Sequence, residues 1–143
     1  MQFIAMDAPK QGIPLVEIGN QATTLDLHND ALLRSVVYDY ESRMLRLAWK
    51  IKLPAWKDPS SPEPETRPTI GVATLVLSGV RRFLVQGDLV ETVKRDAGGL
   101  DFFEYSRLSP GVGEMRFVME NECEFQITGS RCELQFIAEE ATD

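Results

Sequence analysis

The sequence has few of the residues on which most enzyme and metal sites are built. Histidine occurs once, as His28, and the two cysteines are Cys123 and Cys132. A zinc site with four protein ligands needs more thiols and imidazoles than this, usually with a CxxC pair. No apolar run approaches the roughly 18 residues of a membrane span, and the start of the chain has neither a basic nor a long apolar stretch. These absences predict a soluble cytoplasmic protein with no membrane contact.

Positive charge is also scarce. The chain has 15 basic against 22 acidic residues and a net charge of −7. Such a chain is repelled by phosphate backbones, so no nucleic-acid partner is expected. The excess is concentrated in 114–143, where eight acidic residues accompany two arginines. We expect this segment to bind a basic protein partner through Glu122, Glu124 and Glu133. The alternative is that these charges only keep strand faces solvated.

Polar and apolar residues alternate along most of the chain, with the period of two that is typical of strands. The clearest case is 44–53, where one face is apolar and the other mostly basic. Together with the alternation over 36–40, it predicts a long antiparallel hairpin. Asp88 followed by Glu91 resembles a capping box, so a short helix is predicted over 88–97, with a strand as the alternative.

The remaining alternating segments complete the prediction of the fold class. They are 70–77, 80–85, 100–108, 114–120, 122–128 and 131–138, with short ones within 2–5 and 16–27. So many strands with at most one short helix predict an all-β fold, an antiparallel meander that forms a sandwich or a partly open barrel.

The two cysteines lie on the last two predicted strands. Gly129-Ser130 stands between 122–128 and 131–138, which is a two-residue turn signal, so these strands predict a hairpin. In that register the sulfurs share a face but lie about 13 Å apart along the ladder. Because this is too far for a disulfide, we expect two reduced thiols in the core, as in cytoplasmic proteins.

A proline-rich segment interrupts the strands. Five of the eight prolines fall within 54–68, which predicts a long loop inside a single domain that covers 1–143. Trp56 lies in this loop with no apolar neighbours in sequence. It is a candidate anchor for a partner, and the alternative is that it folds back over the core.

The segment around His28 is the one candidate for a polar site. If the chain is extended there, Asp26, His28 and Asp30 project to the same side, where the carboxylates would raise the imidazole pKa or weakly hold a divalent cation. The alternative is a turn whose polar side chains bond to the backbone. No second histidine, nucleophile elbow or phosphate loop accompanies this cluster. We therefore predict no enzyme, no catalytic residue, no cofactor and no bound metal.

Three stretches carry a resemblance to small bacterial β-rich families. The opening runs from Leu27 to Tyr40, where a histidine- and aspartate-containing turn leads into Val36-Val37-Tyr38-Asp39, and is followed by Met44-Leu45-Arg46-Leu47. The others are Leu75–Phe83 and Phe125–Ile137. Together they resemble the immunity protein 50-like group of polymorphic toxin systems. The sequence departs from that pattern in the additional Asn29 and the proline-rich loop. The resemblance implies a non-catalytic protein that binds a protein partner, and it supplies no site residues.

Two other functions fit the same composition. A small-ligand or carbohydrate-binding domain would use exposed aromatic rings on one face, with Trp49, Trp56, Tyr38 and Tyr40 as candidates. A self-associating protein would pair its edge strands with those of a second copy.

Overall fold

The structure is a computed structural model, and it describes residues 1–20, 23–53, 69–94 and 99–139. Within these ranges one helix, α1, accompanies the strands. In chain order the elements are β1 (Gln2–Ile4), β2 (Glu17–Gly19), β3 (Thr24–Asp26), β4 (Ala31–Asp39), β5 (Met44–Leu53), β6 (Thr69–Ser78), β7 (Arg82–Gln86), α1 (Leu89–Lys94), β8 (Leu100–Ser109), β9 (Val112–Met119), β10 (Glu124–Gly129) and β11 (Arg131–Glu139). The predicted loop over 54–68, with Trp56, lies outside the described residues.

The long hairpin predicted from the alternation is confirmed. β4 and β5 pair antiparallel from Asp39 opposite Met44 to Ala31 opposite Ile51, with an irregularity between Leu33 and Ser35. The side chain of Asp39 accepts backbone hydrogen bonds from the turn that follows it. From 45 to 51 the apolar face of β5 is completely buried, so the period of two sorts the core side chains as the sequence predicts.

The strands form two larger sheets and one small ribbon. The five-stranded sheet has the order β1-β11-β6-β5-β4, and the four-stranded sheet has the order β7-β10-β9-β8. β2 pairs with β3 in the ribbon. Neighbours are antiparallel except β1, which runs parallel to β11. The predicted all-β class is confirmed, and the described strands form a sandwich rather than a closed barrel.

The chain passes twice between the sheets at one corner, and this overturns one prediction. The Gly129-Ser130 signal predicts a hairpin of β10 with β11, but β10 pairs with β9 and β7 whereas β11 pairs with β6 and β1. Beside this crossing, 79–81 carries β6 into β7. Residues 79–81 lie opposite Gly129 and Ser130, so one segment has one residue more than the other, as in a β-bulge. Gly79 adopts a φ of 60° at the resulting bend. A Gly-Ser pair is found both in hairpin turns and in bends between two sheets. Its composition therefore does not show whether the next strand pairs with the preceding one.

The core lies between the two larger sheets. Trp49 of β5 is fully buried and approaches the ring of Phe117, which also stacks against Phe103 and Phe125. The indole Nε1 of Trp49 is buried and has no hydrogen-bond partner among the described residues. Rings from both sheets thus meet across the interior, as in other β-sandwiches.

The short helix predicted over 88–97 is present as α1 over Leu89–Lys94, and residues 95–97 lie outside the described residues. The Oδ1 atom of Asp88 accepts a hydrogen bond from the backbone N–H of Glu91, as an N-cap residue does. Thr92 is buried and accepts a hydrogen bond of 2.6 Å from Nδ2 of Asn121. That contact fixes α1 to the turn between β9 and β10. No helix in the described part of the chain is long and apolar enough to cross a membrane.

Candidate functional site

Asp26 organises a tight turn between β3 and β4. Its Oδ1 atom accepts hydrogen bonds from the backbone N–H groups of His28 and Asn29, each at 2.9 Å. Its Oδ2 atom accepts one from the side chain of Asn29 at 2.8 Å. The segment is therefore a turn whose polar side chain bonds to the backbone, which is the alternative that the sequence offered, and the extended arrangement of Asp26, His28 and Asp30 does not form. A turn is more favourable than an extended segment here, because the short Asp26 carboxylate accepts hydrogen bonds from several donors at once.

These bonds determine the direction of the pKa shift at Asp26. Partial burial raises the pKa of this carboxyl, but the hydrogen bonds from Asn29 and His28 outweigh it and hold the pKa below the ordinary value. The ionised form is thus stabilised by local donors.

His28 faces away from its own turn and contacts the other sheet. Its Nδ1 atom lies 2.5 Å from the carbonyl oxygen of Leu100, at the start of β8, and 3.2 Å from Oε1 of Glu120, just after β9. The carbonyl is the largest cause that raises the imidazole pKa above its ordinary value. Slight burial opposes the shift, and the charges of Glu120, Asp26 and Asp101 add to it. The His28 pKa is therefore raised chiefly by a carbonyl that the sequence does not indicate, and the carboxylates contribute less.

The contact brings His28 to a strongly acidic part of the surface, which we call the acidic end. It comprises Asp101, Glu120, Glu122 and Glu124, at the end of the four-stranded sheet where β8 begins and β9 turns into β10. Asp101, Glu120 and Glu122 are exposed. Glu122 forms no ion pair with a described residue and has a φ of 70° in the turn. These carboxylates make the local potential negative, in agreement with the raised pKa of His28.

Glu124 is the most restrained member of the acidic end. Its Oε1 atom lies 3.1 Å from Nη1 of Arg116, whose Nη2 lies 3.4 Å from Oε2 of Glu104. The guanidinium carbon also lies 5.4 Å from the ring centre of Phe102. Two carboxylates thus share one cation on the outer face of the four-stranded sheet, which leaves this face with an excess of negative charge.

Glu133, another predicted partner contact, lies in a different sheet from Glu124. Glu133 lies on β11 in the five-stranded sheet, where its Oε2 is 3.8 Å from Nη2 of Arg131. It therefore does not share a hairpin with Glu122 and Glu124. Trp56 lies outside the described residues.

Trp49 is not part of an exposed aromatic surface. Trp49 was a candidate for an exposed sugar-binding surface, but its side chain has no exposed area and packs between the sheets. Tyr38 is half-buried against the core, and Tyr40 is 83% exposed with its ring 4.8 Å from that of Tyr38. The alternation that places Trp49 on the apolar face of β5 already indicated burial.

The groups around His28 can be compared with those of metal and nucleophile sites. In the described ranges, no three histidine, cysteine, aspartate or glutamate side chains are arranged to hold a metal ion. No described hydroxyl or thiol is hydrogen-bonded to His28. Burial raises the pKa of the Cys123 thiol, with the Asp88 charge adding to the shift and a hydrogen bond to Thr92 opposing it. A buried thiol of this kind is a poor nucleophile.

Sequence reasoning missed the partners of His28. Leu100 is 72 residues further along the chain, and no local pattern connects them. The excess of acidic residues after 114 indicated that Glu120 belongs to a charged region, but not that it contacts His28. Comparisons with protein-family models, curated proteins and solved structures gave no match.

Proposed function

We propose that the chain is a non-catalytic binding module that presents its acidic end to a basic protein partner. The observation that carries this proposal is the exposure of Asp101, Glu120 and Glu122 at one end of a sheet, without an ion-pairing Lys or Arg side chain among the described residues. Exposed charge of one sign speeds the encounter with a partner of opposite charge and selects against like-charged ones.

The scaffold beneath the acidic end supports a recognition role. His28 holds the β9–β10 turn through Glu120, and Asn121 holds it through Thr92 of α1. Carboxylates on a braced turn lose less freedom on binding than carboxylates on a mobile loop, so more of the interaction energy is retained. The immunity role implied by the sequence resemblance, in which the partner is a basic toxin, is the more specific form of this proposal.

A charge-reversal experiment tests the proposal. The tagged full chain is used to capture proteins from lysate of its source cells at low and high salt, and the captured protein is then purified and titrated calorimetrically. We expect one basic protein that is lost at high salt. Asp101→Lys with Glu122→Lys should weaken its binding by about tenfold or more, because attraction is replaced by repulsion.

The control alters the same charge elsewhere. Glu41 lies at the β4–β5 turn, and Glu114 lies near the start of β9, at the opposite end of that strand from Glu120. Glu41→Lys with Glu114→Lys therefore gives the same net charge without changing the acidic end. This variant should keep the wild-type affinity to within about threefold at moderate salt, where distant charges are screened. Equal losses in both double variants, or binding that ignores salt, would refute the assignment of the surface.

A further inference from the structure

A cavity opens at the end of the sandwich opposite the acidic end. Its volume is about 550 Å³, within the range of small-molecule sites. Its wall is formed by residues 1–3 with Ala8, by the end of β8, by the β8–β9 turn and by Ser130. Asp101 and Arg107 lie near opposite ends of β8, about 20 Å apart at the usual rise of a strand. The cavity is therefore separate from the acidic end.

Arg107 gives this cavity a positive charge. Phe103, Tyr105 and Arg107 occupy alternate positions of β8, and the first two are buried on the core side. Arg107 continues that side past the end of the core, where it lines the cavity. It forms no ion pair with a described residue, and no carboxylate lies in the cavity wall. A guanidinium without a counter-charge in a concave site favours an anionic ligand.

Tyr105 supplies a second donor that is held in place. Its side chain is 8% exposed, and its ring packs edge-on against Phe3 with the ring centres 5.0 Å apart. The ring also covers Gly113, where a Cβ atom would overlap it. The hydroxyl oxygen accepts a long contact of 3.5 Å from the nitrogen of Met1. No described residue accepts the hydroxyl proton, so this O–H group is available to a ligand.

We propose that this cavity binds a small organic carboxylate. Arg107 and the Tyr105 hydroxyl donate hydrogen bonds to the carboxylate, and the apolar part of the ligand lies against Phe3. A carboxylate matches the positive charge and the planar fork of the guanidinium. The aromatic and aliphatic wall favours a ligand with an apolar group over a small hydrated anion.

Ligand selectivity tests the chemistry of the cavity. The full chain, labelled with ¹⁵N, is titrated with hexanoate, hexanamide and acetate while the amide signals are followed. Hexanoate should give saturable shifts at Phe3, Tyr105 and Gly111. Hexanamide lacks the charge and acetate lacks the apolar chain, so each should bind at least about tenfold more weakly. Binding of hexanamide as tight as that of hexanoate overturns the proposal, and equal affinity for acetate and hexanoate shows an adventitious ion only.

Variants test the two donors. Arg107→Gln should raise the dissociation constant of hexanoate by about tenfold or more, and Tyr105→Phe by a few fold, since charge-assisted hydrogen bonds contribute more than neutral ones. Arg82→Gln removes the same charge from an exposed position of β7 outside the cavity and should leave binding unchanged. Urea unfolding midpoints near that of the wild type confirm that the variants fold. Equal effects of Arg107→Gln and Arg82→Gln would reject a cavity site.

Discussion

The Nδ1 atom of His28 lies 3.2 Å from Oε1 of Glu120, and this contact joins the turn before β4 to the turn after β9. The two residues belong to different parts of the sandwich, and the carbonyl of Leu100 completes the junction. The imidazole thus connects the turn before β4 to the start of β8 and the end of β9, where the acidic end lies. We call this set of contacts the tie. A protonated ring strengthens the tie, because it faces a carbonyl dipole and carboxylates.

The first prediction concerns the titration of His28. Since the chain has one histidine, its ring protons give one titrating signal in a proton NMR spectrum. We expect a midpoint above the ordinary pKa of 6.5. Glu120→Gln should lower this pKa only in part, because the Leu100 carbonyl is the larger cause. Glu41→Gln, far from the ring, should leave it unchanged. A midpoint at or below the ordinary value would contradict the observed contacts.

The same shift determines how stability depends on pH. A group whose pKa is higher in the folded than in the unfolded chain adds stability that is complete below the unfolded value, and that is lost as pH rises through the folded pKa. The difference in unfolding free energy between wild type and His28→Gln should therefore be larger at about pH 5.5 than at about pH 8.5. Urea unfolding at both pH values measures it. A larger difference at the higher pH would show that protonation weakens the tie.

The second prediction concerns the turn that positions His28. Asp26→Ala removes the acceptor of two backbone N–H groups and of the Asn29 amide, so we expect a loss of about 1 to 2 kcal/mol in the unfolding free energy. Asp26→Asn keeps one acceptor oxygen and should lose less. Because the pKa of Asp26 is lowered in the folded state, its contribution is present above the ordinary value of 3.8 and disappears as pH falls through the folded pKa. Equal stability of both variants and wild type at neutral pH would contradict this role.

Local sequence signals predicted the elements that depend on neighbouring residues. The β4–β5 hairpin follows from alternation, and the Asp88 cap of α1 from the spacing of Asp88 and Glu91. The crossing at Gly129-Ser130 could not be predicted in this way. Whether β11 pairs with β10 or with another sheet depends on the neighbouring crossing at Gly79, which lies far away in sequence. The His28 contact with Glu120 is missed for the same reason, since only the packing of the two sheets brings them together.

The third prediction tests the corner where β6 enters β7. Gly79 has a φ of 60°, and a Cβ atom there would overlap Oγ of Ser130. Gly111 has a φ of 78° but nothing within 4 Å of a Cβ atom. Gly111→Ala should thus cost about 1 kcal/mol from backbone strain alone. Gly79→Ala should cost more than Gly111→Ala, since the Ser130 hydroxyl must also rotate away and lose its 3.3 Å hydrogen bond to the carbonyl of Ser78.

A second variant separates overlap from strain at this corner. Ser130→Gly removes the side chain that a methyl group at position 79 would meet, so Gly79→Ala should cost no more in that background than Gly111→Ala costs in wild type. Urea unfolding of the two single variants and the double variant gives the interaction energy. Additive effects would show that Ser130 does not limit the space at Gly79.

The fourth prediction concerns the two thiols. Both cysteines are free and buried, and burial raises the pKa of Cys132 to about 12. Its Sγ atom lies 3.9 Å from Sδ of Met6 in the core, whereas Cys123 lies next to the β9–β10 turn. Because the thiolate is the reactive form, labelling of the native protein by a maleimide at about pH 7.5 should be slow at Cys123 and slower at Cys132. Peptide mapping by mass spectrometry assigns each rate without a variant, and the same reaction in urea should label both sites rapidly. Stoichiometric labelling of Cys132 in the native state, or a peptide containing a Cys123–Cys132 disulfide, would be incompatible with this core.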